Sequence, residues 1–160
     1  MFNYGFWGAF MKKHDLLNPA MLDSQFNKLI YECHKLEDEV LKLLKKDNDV
    51  VVIPDRKSIF SKYDFIINNI KYEVKRDNYI SKTNTMFLEI ESNKKPSGIT
   101  ITESDLYAIK SGEKLFIIPV KDLKELIKTN SFNSKLCGYN KLSKCLLINA
   151  SYINKYLYIV

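Results

Sequence analysis

An amphipathic pattern in the first third of the chain predicts one long helix. Asp23 or Ser24 is suited to cap its beginning, and the pattern continues to about Lys46. Its apolar residues recur every three or four positions, which places them on one face of a helix with 3.6 residues per turn. These residues are Phe26, Leu29, Ile30, Cys33, Val40, Leu41 and Leu44.

Glu37 is the one acidic residue that falls within this apolar face, whereas the other acids of the helix fall to the side. A glutamate there either takes part in a buried site or lies at the edge of the stripe and extends to water. Of the adjacent pair Cys33 and His34, the thiol is expected in the core and the imidazole ring at the surface.

Short apolar runs follow the helix and predict strands. Asn68-Asn69 separates two of these runs, and asparagine tolerates the positive φ angles that a two-residue hairpin turn requires. The predicted strands cover residues 50–53, 63–67, 70–75 and 86–91.

Beyond residue 95 the sequence predicts two shorter helices and further strands. A helix capped near Thr102 is expected from Glu103 to Lys110. A strand at 115–120, a helix at 121–128, and strands at 145–149 and 156–160 with a helical turn between them complete the series. The order α, β, β, β, α, β predicts a mixed α/β sandwich. A single domain over residues 1–160 is expected, with an N-terminal arm at 1–22, aromatic and suited to packing or partner binding, and a C-terminal extension from about residue 130.

Charge and composition point to a polyanionic partner. The 160 residues carry 25 Lys and Arg against 19 Asp and Glu, a net charge of +6, which favours nucleic acid. Arginine occurs only at Arg56 and Arg76, so the positive charge is suited to backbone contact more than to reading base edges. No apolar stretch is long enough to span a membrane.

The cysteines and histidines exclude several kinds of site. Cys33, Cys137 and Cys145 form no CxxC pair, which excludes zinc ribbons and zinc deaminases, and their odd number suits a reducing, intracellular compartment. His14 and His34 lie on different predicted elements, so a histidine-based catalytic triad is not expected.

The predicted hairpin places charged residues on one of its faces. Asp64 would lie opposite Glu73, with Cβ atoms about 5 Å apart, and like charges at that distance are destabilising. A divalent cation such as Mg²⁺ would compensate for them, and Lys75 would add a positive charge on the same face. The alternative is a solvated charged face on which Lys75 and Lys62 neutralise the two acids.

These residues belong to a longer series of motifs that resembles the PD-(D/E)xK nuclease superfamily. A helix acid, Glu37, is followed by Asp64 and then by Glu73-Val74-Lys75, which fits the ExK signature; Tyr63 stands where proline is usual. The chain resembles in particular the small members of phage and large-virus type and of archaeal Holliday-junction-resolvase type, over about residues 30–128. The supporting segments are 62–65 (KYDF), 72–77 (YEVKRD), 87–91 (FLEIE) and 95–99 (KPSGI) before the predicted helix with Tyr107.

The resemblance implies a restriction-endonuclease-like core, αβββαβ, in which helices flank a mixed central sheet. It also implies that Asp64 and Glu73 bind Mg²⁺, with the Val74 carbonyl as a further ligand and Mn²⁺ able to substitute. Lys75 would orient or deprotonate the attacking water or stabilise charge on the phosphate, and Glu37 would reach the site directly or through water. This is metal-assisted phosphodiester hydrolysis.

Nucleic-acid contacts are expected in a neighbouring loop. Lys94 and Lys95, followed by Ser97, make a basic segment suited to phosphate binding, although a plain surface loop has the same composition. Tyr107 would either stack on a base or belong to the core.

The expected function is therefore a metal-dependent DNA endonuclease, structure-selective for branched DNA such as Holliday junctions or flaps if it follows the resemblance. DNA is the expected partner, a resolvase would act as a homodimer, and neither a membrane nor a nucleotide cofactor is expected. The alternatives are an exonuclease or restriction-like nuclease of the same fold, a catalytically inactive nucleic-acid-binding module, and a structural protein that binds a partner through its aromatic arm.

Overall fold

A six-stranded mixed sheet, called sheet A, lies at the centre of the computed structural model, which describes residues 19–55, 62–137 and 141–159. Its strands are β1 (Val51–Val52), β2 (Phe65–Ile67), β3 (Ile70–Arg76), β6 (Leu106–Ser111), β7 (Lys114–Pro119) and β10 (Leu157–Tyr158). They are arranged in the order β1-β2-β3-β6-β7-β10. Only the β3–β6 pair is parallel among these neighbours, and the chain between these two strands, residues 77–105, forms the crossover that a parallel connection requires.

A second, antiparallel sheet, called sheet B, has four strands in the order β5-β4-β9-β8. These are β4 (Thr85–Ser92), β5 (Lys95–Pro96), β8 (Ser134–Cys137) and β9 (Ser143–Asn149). The β4–β9 register shifts between Glu89 and Glu91, which is a bulge in the longest pairing of sheet B. Strand β4 belongs to sheet B, whereas the β2–β3 hairpin that precedes it belongs to sheet A.

Three α-helices occur in the described residues: α1 (Pro19–Leu44), α2 (Asn78–Thr83) and α3 (Val120–Thr129). Short 3₁₀ turns form at Gly98–Thr100, Ala150–Tyr152 and Asn154–Tyr156. None of the helices within the described ranges has the length and apolar character needed to cross a membrane.

The two faces of sheet A bury two separate apolar clusters. Helix α1 covers one face, while sheet B and α3 cover the other. Strand β6 shows the division, because Ala108 belongs to the α1 side whereas Tyr107 and Ile109 belong to the sheet B side, as alternation along a strand requires. The α1 side contains Leu36, Val40, Phe65, Ile67, Val74, Ala108 and Leu115.

The predicted hairpin is confirmed, including its register. Phe65 pairs with Tyr72 and Ile67 with Ile70. Asn68 and Asn69 adopt φ angles of 50° and 67°, which is the left-handed turn expected from their sequence. The predicted strand over residues 115–120 and the helix over 121–128 are also formed, as β7 and α3.

The helix predicted from Glu103 to Lys110 is wrong, because β6 occupies most of that segment. The residues expected to cap a helix are used in a turn: the Thr102 hydroxyl accepts a hydrogen bond from the Ser104 N–H at 3.2 Å. Asp105 then exchanges hydrogen bonds with Lys71 through its N–H and its carboxylate, which directs the chain alongside β3. Non-local pairing thus overrides the local helix signal.

Helix α1 extends further toward the N-terminus than predicted. It begins at Pro19, a residue that fits the first turn, so Asp23 and Ser24 lie within the helix. Residues 19–22 of the expected arm are therefore helical, and residues 1–18 lie outside the described part of the chain.

Cys33 is exposed, so its expected place in the core is wrong, and the His34 ring is half-buried. Within residues 27–44 of α1, the deeply buried residues are Leu36 and Val40, while Leu29 is exposed. Within residues 27–44, the predicted apolar face is confirmed from Leu36 onward, where it packs on sheet A.

Cys137 and Cys145 form a disulfide with an S–S distance of 2.07 Å, which joins β8 to β9. The two residues are diagonal neighbours, since Cys145 pairs with Lys135 and Cys137 with Ser143. The sequence analysis did not predict this disulfide, because it considered only the odd number of cysteines and the absence of a CxxC pair. Antiparallel pairing, which spacing alone did not reveal, brings the two thiols together.

Candidate active site

Glu73 and Lys75 form an ion pair on the side of β3 that faces sheet B. The Lys75 Nζ atom donates to Glu73 Oε1 at 2.5 Å. The Glu73 side chain is only 1% exposed, whereas that of Lys75 is 24% exposed, so Lys75 is the member of the pair that solvent reaches. The two residues share this face because they are two positions apart on one strand.

The remaining carboxylate oxygen of this pair has an unusual environment. Glu73 Oε2 is buried and has no hydrogen-bond partner among the described residues. Burial raises the pKa of Glu73; the charge of Lys75 opposes this effect and that of Asp64 adds to it. Burial alone would lower the pKa of Lys75, but the charge of Glu73, with Tyr107 and Asp64, raises it. Lys75 is therefore held in its protonated form.

Asp64 lies at the open edge of β3, directly before β2 begins. Its N–H donates to the Tyr72 carbonyl at 2.8 Å, and its Oδ2 atom accepts the Val74 N–H at 2.6 Å. Strand pairing stops at Phe65 and Tyr72, so the direct cross-strand opposition expected for Asp64 and Glu73 is replaced by a carboxylate that caps β3. The Val74 carbonyl points to the same edge, because the N–H and C=O of one strand residue share a side.

A solvated charged face, the alternative drawn from the sequence, does not describe these acids. Asp64 and Glu73 are buried, at 7% and 1% exposure. Lys62, which would have neutralised them, forms an exposed ion pair with Glu103 instead.

Helix α1 brings its predicted acid near this group. Glu37 is half-buried. Although Cys33 is exposed, partial desolvation by its surroundings raises the pKa of its thiol, the charges of Glu37 and Asp64 raise it further, and that of Lys75 lowers it. Cys33 thus lies within electrostatic range of Glu37, Asp64 and Lys75.

Tyr107 is buried at 1% exposure, on the strand next to Glu73, with which it pairs in register. Its ring lies 6.0 Å from Lys75 Nζ, and it presents no face for stacking on a base. Burial raises the pKa of Tyr107. The charge of Lys75 lowers this pKa, and the charges of Glu73 and Glu89 raise it. The hydroxyl has no hydrogen-bond partner in the described residues; Thr102 is near it without meeting hydrogen-bond geometry.

The basic loop is divided between surface and interior. Lys94 and Lys95 are exposed. Ser97 is buried, and its hydroxyl donates to Glu89 Oε1 at 2.7 Å, so it acts within the fold. Glu89, buried at 8% exposure, has a role that the sequence reasoning missed; the signal was an acid inside the apolar run Phe87–Ile90.

A cleft of about 370 Å³ lies between β3 and β6 on one side and sheet B on the other. Lys75, Tyr107 and Glu89 line it, together with Tyr79 and Phe87. The two aromatic rings lie 4.5 Å apart between centroids. Neither ring was singled out from the sequence, since each occurs in a pattern that core residues also produce.

Oxygen atoms at β3 are of the kind that Mg²⁺ binds. In the described ranges no group of three or more His, Cys, Asp and Glu side chains is arranged to hold a metal ion. Mg²⁺, however, is usually bound through one or two carboxylates, with water and substrate phosphate completing the shell. The buried Glu73 Oε2 atom without a partner, Asp64 and the outward Val74 carbonyl provide such oxygen donors.

Comparison of the chain with protein-family models, with curated proteins and with solved structures gives no match.

Proposed function

We propose that this protein is a metal-dependent nuclease that hydrolyses phosphodiester bonds of DNA. The observation that carries the proposal is the buried Glu73, paired with Lys75 through one oxygen and without a partner at the other, beside the buried Asp64. A buried acid in this state is costly unless a further group satisfies it. The net charge of +6 suits a polyanionic substrate.

Asp64, Glu73 and the Val74 carbonyl would hold Mg²⁺ or Mn²⁺. When bound, such an ion lowers the pKa of its water and neutralises charge on the phosphate. Lys75 contributes a fixed positive charge at the cleft, since it remains protonated beside Glu73. It is placed to orient the phosphate, and Glu37 supplies a further acid from α1.

The proposal includes a restriction-endonuclease-like core made of α1, the β2–β3 hairpin and the parallel strand β6. Its support is the position of the acids: one on α1, one directly before β2 and one on β3. The resemblance implied a third strand of the central sheet after the hairpin and then a helix. Strand β4 instead belongs to sheet B, and the segment expected as that helix forms β6.

The first test is cleavage of a labelled panel containing a four-way junction, a flap, single-stranded DNA and linear duplex, with Mg²⁺, with Mn²⁺ and with a chelator. Wild-type protein should cut only with metal. Glu73→Gln and Lys75→Ala should reduce the rate at least about 100-fold, the range typical for loss of one group that acts on the reacting atoms. Glu103→Gln is the matched control, because it removes the acid of an exposed Lys–Glu pair and should leave the rate unchanged.

The panel also separates the alternatives. Cutting at chain ends only would make the protein an exonuclease, and paired symmetric cuts in a junction would require a twofold dimer, which sedimentation would detect. Binding of DNA without any metal-dependent cutting would overturn the proposal in favour of a nucleic-acid-binding module.

A further inference from the structure

The cleft between the two sheets continues directly from Lys75. Lys75 lines this cleft, and the buried side chains of Met86, Leu88 and Ile99 make part of its lining apolar. Its volume of about 370 Å³ is within the range of small-ligand sites. A phosphate at Lys75 would therefore leave the adjoining nucleoside beside an apolar, walled space.

The aromatic pair of this cleft is held in place by one carboxylate. Asp77, the residue that caps α2, accepts the Tyr79 N–H at 2.8 Å with one oxygen and the Phe87 N–H at 2.7 Å with the other. Tyr79 is 54% exposed although it packs on Phe87. A large exposed ring on a fixed backbone, which lines the same cleft as Lys75, has the geometry of a base-stacking platform.

Another residue that lines the cleft has a buried polar atom without a partner in the described part of the chain. The buried Tyr107 hydroxyl is not hydrogen-bonded to any described residue, and Tyr107 lines the same cleft. Such a group costs free energy unless something satisfies it, and a ligand with hydrogen-bonding edges would do so. A nucleobase combines those edges with an apolar face.

We infer that this cleft binds an unpaired nucleobase of the strand whose phosphate lies at Lys75, with Tyr79 as the stacking residue. The inference rests on the proposed function and deepens it: the substrate is nucleic acid with an unpaired base at the cutting position, such as a single strand, a flap or a branch. A base inside a duplex is stacked and paired on both sides and cannot enter without being extruded.

The test measures binding apart from cleavage. A single-stranded oligonucleotide carrying 2-aminopurine is titrated with protein in chelator, and stacking on Tyr79 should quench its fluorescence. Tyr79→Leu should weaken single-strand binding by about 5- to 150-fold, because stacking on an aromatic residue contributes about 1–3 kcal/mol per base. A duplex of the same sequence should bind equally to both proteins. An RNA oligonucleotide of that sequence determines which nucleic acid supplies the base.

Tyr152→Leu is the matched control. Tyr152 is also exposed, at 44%, and also packs on a phenylalanine, Phe132, at 5.5 Å, but it does not line this cleft. Its substitution should leave single-strand affinity unchanged. Thermal melting and circular dichroism of both variants confirm that they fold.

The outcomes distinguish this inference from the proposed function. If Tyr79→Leu has no effect, or weakens single strand and duplex equally, the inference is overturned while metal-dependent cutting by the wild type would leave the nuclease intact. If the wild type binds single strands through Tyr79 but never cuts, the base site stands and the nuclease fails. If no nucleic acid binds, both are overturned.

Discussion

The fold requires glycine at position 98 for two separate reasons. Its φ of +55° is left-handed, and a Cβ atom built on it would lie 2.3 Å from the Glu89 carbonyl oxygen. Gly98→Ala should therefore cost the strain of the left-handed conformation, about 1–2 kcal/mol, and in addition displace β4 beside the cleft. Chemical denaturation measures the loss.

Gly112→Ala is the control for this substitution. Gly112 has a similar φ of +58°, but its Cβ would meet nothing closer than 3.7 Å. It should show the conformational cost alone, and an equal loss of stability in the two variants would show that the contact with Glu89 is unimportant.

Hydrogen bonds to the Asp49 carboxylate should stabilise the fold against unfolding by acid. The Lys46 N–H and the Asn68 side-chain amide donate to its carboxylate and hold its pKa below the usual value. An acid with a lowered folded pKa stabilises the fold above its unfolded pKa of about 3.9, and that contribution is lost as the pH falls through the lower folded value. Titration of the Asp49 carboxyl carbon by NMR should give a midpoint below that of a model peptide; an ordinary midpoint would contradict these hydrogen bonds.

At the scale of elements, the two asparagines of the β2–β3 hairpin turn contribute to stability in different ways. Asn69 supplies only a left-handed residue, so Asn69→Gly should stabilise the protein by about 0.5–1 kcal/mol and raise its Tm by about 1–4 °C. Asn68 also accepts the Val50 N–H at 3.0 Å and donates to Asp49 at 2.7 Å. Asn68→Gly should lower the Tm, since it removes both bonds. Identical Tm shifts for the two variants would contradict this assignment.

The hairpin and the segment 103–110 show what the sequence could predict. The hairpin depends on a two-residue turn and on alternation within a few residues, so its strands, turn and register followed from local chemistry. Strand β6 depends on pairing with β3, more than 30 residues earlier. Thr102 and Glu103, which precede β6, gave a helix-start signal, but this segment forms a turn. Long-range pairing leaves little trace in a local pattern.

Only the local part of the candidate site could be predicted from the sequence. Glu73 and Lys75 share a face because they are two residues apart, and the sequence was sufficient for that. The capping of β3 by Asp64, the burial of Glu89 and the aromatic pair of Tyr79 and Phe87 each depend on a partner brought close by the sheets. Only the structure could supply those partners.

For the whole molecule, charge and cleft should make separable contributions to nucleic-acid binding. Each phosphate neutralised on a single strand adds about −0.7 to the slope of log affinity against log salt. The exposed Lys94 and Lys95 precede Gly98 and Ile99, which line the cleft, so the double variant Lys94→Ala/Lys95→Ala should make the slope shallower by up to about 1.4. Tyr79→Leu should lower affinity at every salt concentration and leave the slope unchanged, because a tyrosine ring carries no charge.

The control for charge is a second pair of exposed lysines on the other side of sheet A. Lys42 and Lys45 lie at and just after the end of α1, which covers the face of sheet A opposite the cleft. Lys42→Ala/Lys45→Ala removes the same net charge, so an equal change of slope would show that binding follows the overall charge of +6. A change confined to Lys94 and Lys95 would place the strand along the loop that leads into the cleft, which is the path that a phosphate at Lys75 and a base on Tyr79 require.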